Sequence, residues 1–283
     1  MTKGKTRSER QLKVAIQGYE GSFHHIVAHR CLGTDIAIHP CATFREVARQ
    51  VETGEADYGV MAVENSIAGT ILPNLGILHN ATCRSWANNL HIRQNLMVSP
   101  AWVGDIVEVQ SHPMALLQCV DLLDAHRCKL VETEDTALSA RHIAEHKLRN
   151  AAAIAGDLAA ELFGLEIVVP DIHSIKNNYT RFLLLRPAGQ PLPSGADKAS
   201  LCFKTDHEHG SLMRVLRAIE NSTINMTKLQ SSPIPSEPWH YMFHIDMEFD
   251  SMEEYDRVLA DMERNSQQLH VYGVYKRGIS THS

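Results

Sequence analysis

The chain has little of what most readily assigns a function. No apolar run approaches the roughly 20 residues that a membrane-spanning helix needs. No Lys/Arg-rich block offsets the net charge of -6, which excludes the basic footprint of a nucleic-acid binder. None of the six cysteines (Cys31, Cys41, Cys83, Cys119, Cys128, Cys202) forms a CxxC pair, and most sit in apolar segments. That pattern predicts reduced thiols and a cytoplasmic protein in preference to a disulfide frame. The 17 histidines come without an HExxH or Cys/His framework. His24, His25 and His29 therefore read as helix-lining or surface residues ahead of metal ligands, although His25 and His29 stand one helical turn apart. GxGxxG and GKS/T are missing, so neither a dinucleotide site nor a P-loop is expected, and no metal or organic cofactor is called for. There is no internal repeat or low-complexity segment. Met1 to Arg10 is polar and basic with no apolar segment behind it, which reads as a frayed tail and not an export signal.

What is present is an ordinary globular chain: 283 residues, 44% hydrophobic and 21% charged, long enough for two domains. Lys13–Gln17 reads as a strand running into Gly18-Tyr19-Glu20-Gly21-Ser22, with a helix from Phe23 to about Cys31. Ile36–Ile38 is the next strand, and Thr43 caps a helix reaching Gly54. Tyr58–Val63 is a buried strand ending in Glu64-Asn65-Ser66, and Ala68-Gly69-Thr70 opens a helix. Leu90–Ser99 reads as one crossing strand. Val107–Gln110 leads through Ser111-His112-Pro113 into a helix from Met114 to Asp124, with Gln118 one turn on. Lys129–Val131, the helix Thr136–Lys147, the strand Ala151–Ala155 and the helix Asp157–Phe163 follow. Strands alternating with helices predict parallel sheets of βαβ units. Residues 188–197, rich in Pro and Gly, read as a linker. Beyond it the order becomes strand, helix, two strands, helix, strand, a ferredoxin-like βαββαβ unit.

Small polar groups gather where strands end, the edge at which open α/β sheets bind ligands. Ser22 and Ser66 are candidates there, with a purely capping role as the alternative for each. The hexad Asn177-Asn178-Tyr179-Thr180-Arg181-Phe182 precedes the apolar run Phe182–Leu185, placing Thr180 and Arg181 at a strand mouth. Arg181 could hold a carboxylate through two parallel hydrogen bonds and Thr180 could give or take a proton. The alternative is a strand-opening Thr beside an exposed Arg.

Four segments occur in order: Gly18…Gly21-Ser22-Phe23, Val63-Glu64-Asn65-Ser66…Gly69, Ser111-His112-Pro113-Met114-Ala115-Leu116…Gln118-Cys119 and Asn178-Tyr179-Thr180-Arg181-Phe182. With these, the chain resembles the prephenate dehydratases over residues 12 to 276, with a C-terminal unit similar to the amino-acid-sensing ACT module. The resemblance implies an α/β protein whose catalytic part, residues 12–187, has two lobes laid out like a periplasmic binding protein. Lobe one would hold 12–86 and 168–187, lobe two 90–165, and 198–283 the ACT unit. It implies decarboxylative dehydration of prephenate to phenylpyruvate. Catalytic residues would be Thr180, Arg181, Ser111, Gln118, Asn65 and Ser66, with Thr180 donating to the leaving hydroxyl and Arg181 anchoring a carboxylate. Ser22, Glu64, Gly69, His112, Asn178 and Phe182 would complete the substrate site. L-Phenylalanine would be an allosteric ligand at Gly210, Ser211, Leu212, Gln230 and Ser231, and the protein a homodimer or homotetramer.

The sequence departs from the family in places. Gly18-Tyr19-Glu20-Gly21-Ser22-Phe23-His24 replaces the more usual Gly-Pro-x-Gly-Thr-Phe-Ser. Gly210-Ser211-Leu212 stands for Gly-Ala-Leu, and Gln230-Ser231-Ser232-Pro233 for Glu-Ser-Arg-Pro, losing an acid and a base. Arogenate, the transaminated substrate, remains an alternative to prephenate, as does a non-enzymatic two-lobed solute binder with a sensing tail.

Overall fold

The computed structural model describes residues 10–80, 84–187, 189, 194–234 and 237–277, the side chains of residues 80 and 84–88 excepted. Cys83, most of the N-terminal tail and half of the expected linker (188 and 190–193) lie outside the described residues.

The first lobe starts with β1 (Leu12–Gln17), α1 (Phe23–Leu32), β2 (Ile36–Cys41), α2 (Phe44–Glu52), β3 (Tyr58–Asn65), β4 (Gly69–Thr70), α3 (Leu72–Asn80) and β5 (Arg84–His91). Its helices begin where short-range chemistry permits. Ser22 accepts the His25 N–H to cap α1. Thr43 accepts the Glu46 N–H to cap α2, while the Glu46 carboxylate reaches back to the Ala42 N–H at 3.0 Å. The second lobe comprises β6 (Asn95–Val98), β7 (Glu108–Ser111), α4 (Pro113–Gln118), α5 (Val120–Ala125), β8 (Lys129–Glu132), α6 (Thr136–Glu145), β9 (Ala151–Ala155), α7 (Asp157–Phe163) and β10 (Glu166–Val169). Its central strand β9 is Ala-Ala-Ala-Ile-Ala, fully buried; Ala151, Ala153 and Ala155 on one face let α6 and α7 pack close, while Ala152 and Ile154 on the other meet α4 and α5. Then β11 (Tyr179–Arg186) returns to the first lobe.

The sheet orders are β2-β1-β3-β11-β5, with β4 on β3, and β10-β6-β9-β7-β8. The expectation of parallel sheets holds for β2, β1 and β3 and for β8, β7 and β9, but fails at the two strands that enter from a lobe crossing. β11 is antiparallel to β3 and β5, and β6 is antiparallel to β9 and β10. Each of the two starts at the cleft, where its neighbours end, and so must run the opposite way. The predicted single strand Leu90–Ser99 is accordingly β5 and β6, in different sheets. Between them Ile92 donates its N–H to the Asn178 carbonyl at 2.7 Å and Gln94 accepts from the Ile172 N–H at 2.8 Å, which ties the two crossing segments together. The predicted helix Met114–Asp124 also breaks, at Cys119, because the Gln118 carbonyl accepts the Ser174 N–H at 2.7 Å from a crossing segment.

The tail unit is β12 (Lys198–Lys204), α8 (Ser211–Glu220), β13 (Asn225–Pro233), β14 (Tyr241–Glu248), α9 (Met252–Arg264) and β15 (Gln268–Tyr275), a fully antiparallel sheet of order β13-β14-β12-β15. Alternation sends Leu201 and Phe203 toward Val215, Ile219, Val258 and Met262 of the helices. The other face sends Cys202, Tyr272 and Tyr275 into a core shared with Val63, Leu75, Leu183 and Leu185 of the first lobe. Tail and first lobe are thus joined by buried apolar surface.

Candidate active site

Between the lobes lies a cavity of about 290 Å³ lined by both, and Thr180 and Phe182 of β11 stand in its wall. The first lobe supplies Gln17, Ser22, His24 and Asn65, and the second His112, Gln118, Glu134 and Asp135. Three helix starts meet there: Ser22 before α1, His112 before α4 and Asp135 before α6, each side chain accepting a backbone N–H of its own helix. The amide ends of α1 and α4 carry partial positive charge that suits an anionic ligand, whereas Asp135 covers the third. The Asp135 carboxyl is raised above its usual range by burial, against the lowering effect of the Leu138 and Ala137 N–H groups.

A chain of amides sets the Thr180 hydroxyl. Asn65 accepts the N–H groups of Ile67 and Ala68 on Oδ1, at 3.0 and 2.9 Å, which fixes the orientation of its amide. Its Nδ2 then donates to Thr180 Oγ1 at 2.9 Å and to Asn178 Oδ1 at 2.8 Å. Asn178, completely buried, donates through Nδ2 to Gln118 Oε1 at 3.1 Å. One hydrogen-bonded line therefore runs from α4 of the second lobe through a crossing segment to β3 and β11. Thr180 accepts from Asn65, so its own O–H is left to donate into the cavity.

Ser22, Asn65, His112, Gln118, Thr180 and Phe182 thus meet at the cleft, with Asn178 directly behind them. Five other expected site residues are placed elsewhere. Ser111 is fully buried and donates to the Ile154 carbonyl at 2.6 Å, bracing two strands. Ser66 uses its hydroxyl within a turn, donating to the Asn177 carbonyl and accepting the Tyr179 N–H. Glu64, Gly69 and Arg181, like Ser66, line a different cavity of about 500 Å³ on the opposite side of β11, toward the tail. Although larger, that space has its charged walls already paired: Arg181 contacts Glu64 at 3.1 Å and Asp246 at 2.5 Å, and Lys198 contacts Glu248 at 3.0 Å. The smaller cavity is the one lined by both lobes and by Thr180. Arg181 is consequently a buried link to the tail and not the anchor of a carboxylate in the cleft.

Gln17, Gln94, Glu134, Asp135 and Thr136 also line the cleft and were not singled out from the sequence, and His24, read there as helix-lining or surface, joins them. Glu134-Asp135-Thr136 follows β8 as Ser111-His112 follows β7, so the strand-end rule applied to β8 would have found them. His24 packs edge-on against the Phe182 ring, and burial holds its pKa down to about 4, so the imidazole is neutral. His25 Nδ1 accepts the Gly21 N–H and its Nε2 meets that of His29 at 2.8 Å. Among the described residues no group of three or more His, Cys, Asp or Glu side chains could hold a metal ion.

In the tail, Gly210 takes a φ of 77° before α8, and Ser211 donates to Thr205 Oγ1 at 3.2 Å beside a cavity of about 250 Å³. Leu212 packs against the tail core. Gln230 and Ser231 lie on the edge strand β13 and do not line that cavity, so a single chain does not bring the five expected effector residues together.

Two lobes crossed twice by the chain, a cleft between them lined by helix starts and a βαββαβ tail define a two-lobed α/β protein with an ACT-type unit. A family profile described as prephenate dehydratase matches residues 14–190. The bifunctional chorismate mutase/prephenate dehydratase of Aquifex aeolicus (strain VF5) is 31% identical over 275 residues, 96% of this chain and 75% of that protein. The chain belongs to the prephenate dehydratase family. Among solved structures, the prephenate dehydratase of Arthrobacter aurescens in complex with L-Phe is 27% identical with a TM-score of 0.83, covering 94% of this chain and 90% of that one. A structure described as GqqA, a novel type of quorum quenching acylase, is 25% identical with a TM-score of 0.83, covering 94% of this chain and 98% of that one.

Proposed function

We propose that the cleft converts prephenate to phenylpyruvate, with loss of water and carbon dioxide, on the route to phenylalanine. The observation that carries this reading is the Thr180 hydroxyl, which lines the cleft and accepts from Asn65, leaving its own O–H to donate to a substrate there. Hydroxide is a poor leaving group, and a proton must reach the ring oxygen as its C–O bond breaks. Departure of the ring carboxylate supplies the electrons and aromatisation the driving force. The amide of Gln118 and the helix starts at Ser22 and His112 receive the remaining oxygens. Aromatic contact from Phe182 and neutral His24 faces the ring. Turnover of prephenate by the purified chain, followed by phenylpyruvate absorbance, tests the reading; its absence with both prephenate and arogenate leaves a solute binder.

Arogenate is a second reading favoured by one feature. Glu134 and Asp135 place two carboxyl groups in the cleft wall, where the ammonium that arogenate carries in place of the keto group is welcome. Comparing kcat/KM for the two substrates on one preparation decides between them.

We further propose that residues 12–187 form the catalytic part and 198–283 a regulatory part, in a cytoplasmic homodimer or dimer of dimers. β13 leaves one edge of the tail sheet unpaired and offers a second copy a strand to join. Phenylalanine then binds between two tails, its carboxylate at Gly210, Ser211 and Leu212 and its ammonium toward Gln230 and Ser231 of the other copy. Light scattering that gives the mass of one chain, 31.6 kDa, at micromolar concentration refutes the assembly. Calorimetry without heat at millimolar phenylalanine refutes the effector.

A further inference from the structure

Thr180 and Arg181 are neighbours on β11 and therefore face opposite sides of the sheet. Their partners on β3 alternate likewise: Thr180 stands across from Asn65, and Arg181 across from Glu64. One pair, Thr180 and Asn65, is the hydrogen-bonded core of the cleft. The other pair points into the tail. There every strand of the tail sheet contributes one polar side chain to the space around it: Ser200 from β12, Lys228 from β13, Asp246 from β14 and Tyr275 from β15.

The contacts form a closed set. Arg181 Nη2 lies 3.1 Å from Glu64 Oε2 and Nη1 lies 2.5 Å from Asp246 Oδ2, while Lys228 Nζ lies 3.1 Å from Glu64 Oε1. Asp246 also accepts the Ser200 hydroxyl, and Ser200 is hydrogen-bonded to the Tyr275 hydroxyl. The side chains of Arg181 and Lys228 are 11% exposed and that of Asp246 5%, while Glu64 is 34% exposed, so two positive and two negative charges balance with three of the four largely away from water. Burial disfavours the Arg181 charge, but Asp246, Tyr275 and Glu64 outweigh it and raise its pKa. Lys228 is lowered, by burial first and by Arg181 second.

Such a set contributes modestly to stability but is demanding in geometry, because the loss of any one member leaves an uncompensated charge. It also sits where β11 most needs fixing. The ladder between β11 and β3 shifts register between Arg181 and Phe182, so a bulge separates the clamp from the regular strand that follows. A bulge bends the strand and sharpens its local twist; a guanidinium held between Glu64 and Asp246 fixes that bend. Arg181 cannot swing without moving the backbone that carries the Thr180 hydroxyl.

We propose that Asp246 and Lys228 of the tail are positioning residues for the reaction in the cleft: by holding Arg181 and Glu64 they set where the Thr180 hydroxyl and the Asn65 amide stand. The proposal rests on the reading of Thr180 as proton donor, and its test includes a measurement independent of that reading. In the full chain, Asp246→Asn removes one charge, keeps the shape and can still receive the Ser200 hydroxyl. The expected result is a kcat lower by about 10-fold to 100-fold with KM within about twofold, the penalty of a misplaced group. Hydrogen exchange should quicken in peptides spanning 60–66 and 177–186 while 151–155 stays as in the wild type. Replacing both partners by apolar groups, Arg181→Met with Asp246→Leu, should recover much of both effects, since an empty apolar socket is tolerated where a half-filled ionic one is not. If Asp246→Asn does not fold, Lys228→Met, which touches the set through Glu64, is measured in the same way. Exchange unchanged in both segments of a folded variant, or raised equally in both lobes, overturns the clamp. A wild-type chain inactive on prephenate and arogenate removes the functional reading alone, and the exchange arm still decides the clamp.

Discussion

The proposed mechanism turns on a single hydroxyl, so its sharpest tests are at Thr180. Thr180→Val is nearly isosteric and removes the donor. An interaction made in the transition state should cost kcat on the order of 100-fold to 1000-fold with little change in KM. Thr180→Ser should keep most of the rate. Arg181→Lys now has a different expected outcome from the one its sequence position suggested. The side chain is buried against Glu64 and Asp246, so a lysine keeps the charge and loses the fork that reaches both. Tm and kcat should fall while KM holds; a rise in KM alone would return Arg181 to the substrate. The sequence exposed the Thr-Arg pair but placed it at a strand mouth, where both side chains could face one ligand. In the structure β11 begins at Tyr179, and the two-residue period of a strand then separates them. Ser111 and Ser66 erred the same way: a hydroxyl near a strand end is equally suited to bracing backbone, and only the neighbours tell which.

At the scale of elements, what was legible followed from local chemistry. Ser22, Thr43 and Pro113 begin helices where their types predict, and Gly164 ends α7 with a φ of 65°. What was not legible depended on residues far apart in the chain. The directions of β6 and β11 follow from the crossings between lobes, and the break at Cys119 from a hydrogen bond contributed by Ser174. The crossings also bring the lobes into contact at three glycines, Gly18, Gly21 and Gly156. A Cβ on Gly18, which has a φ of 89°, would stand 2.8 Å from Asp135 Oδ2. On Gly156 of the second lobe it would stand 3.2 Å from the Phe23 ring and 3.3 Å from Ile26 of the first. Gly156→Val should hold the lobes apart and raise KM by several-fold to roughly 100-fold, the range for a displaced binding group, with Tm nearly unchanged. Wild-type KM in that variant would mean that the cleft works without this approach. Gly18→Ala adds backbone strain as well and should lower both Tm and activity.

Across the whole molecule, buried imidazoles set how the protein meets acid. His25 is 5% exposed and its Nδ1 accepts the Gly21 N–H; burial, then His29, lowers its pKa from 6.5 to about 4. His244 is 4% exposed between Ser232 and the Tyr272 hydroxyl; burial, then Lys228, lowers it from 6.5 to about 4. A group whose folded pKa lies below its unfolded one binds more protons when unfolded, so stability rises with pH through the interval between the two. Their contribution is therefore complete above pH 6.5 and is lost as pH falls toward 4. Each shift corresponds to roughly 3 kcal/mol, a large part of the stability of an ordinary domain. Asp135 acts in the opposite sense, since its pKa, raised by burial, favours the protonated folded state as pH falls. Urea unfolding at pH 7.5, 6.5, 5.5 and 4.5 should show stability flat at first and then falling by several kcal/mol. In His244→Gln, which cannot titrate, the fall should shrink by about one proton's worth of slope, 1.4 kcal/mol per pH unit. The tail packs on the strand that carries Thr180, so kcat should decline with the same midpoint as tail unfolding. A stability curve level down to pH 4.5 would mean that these imidazoles gain protons freely in the folded chain.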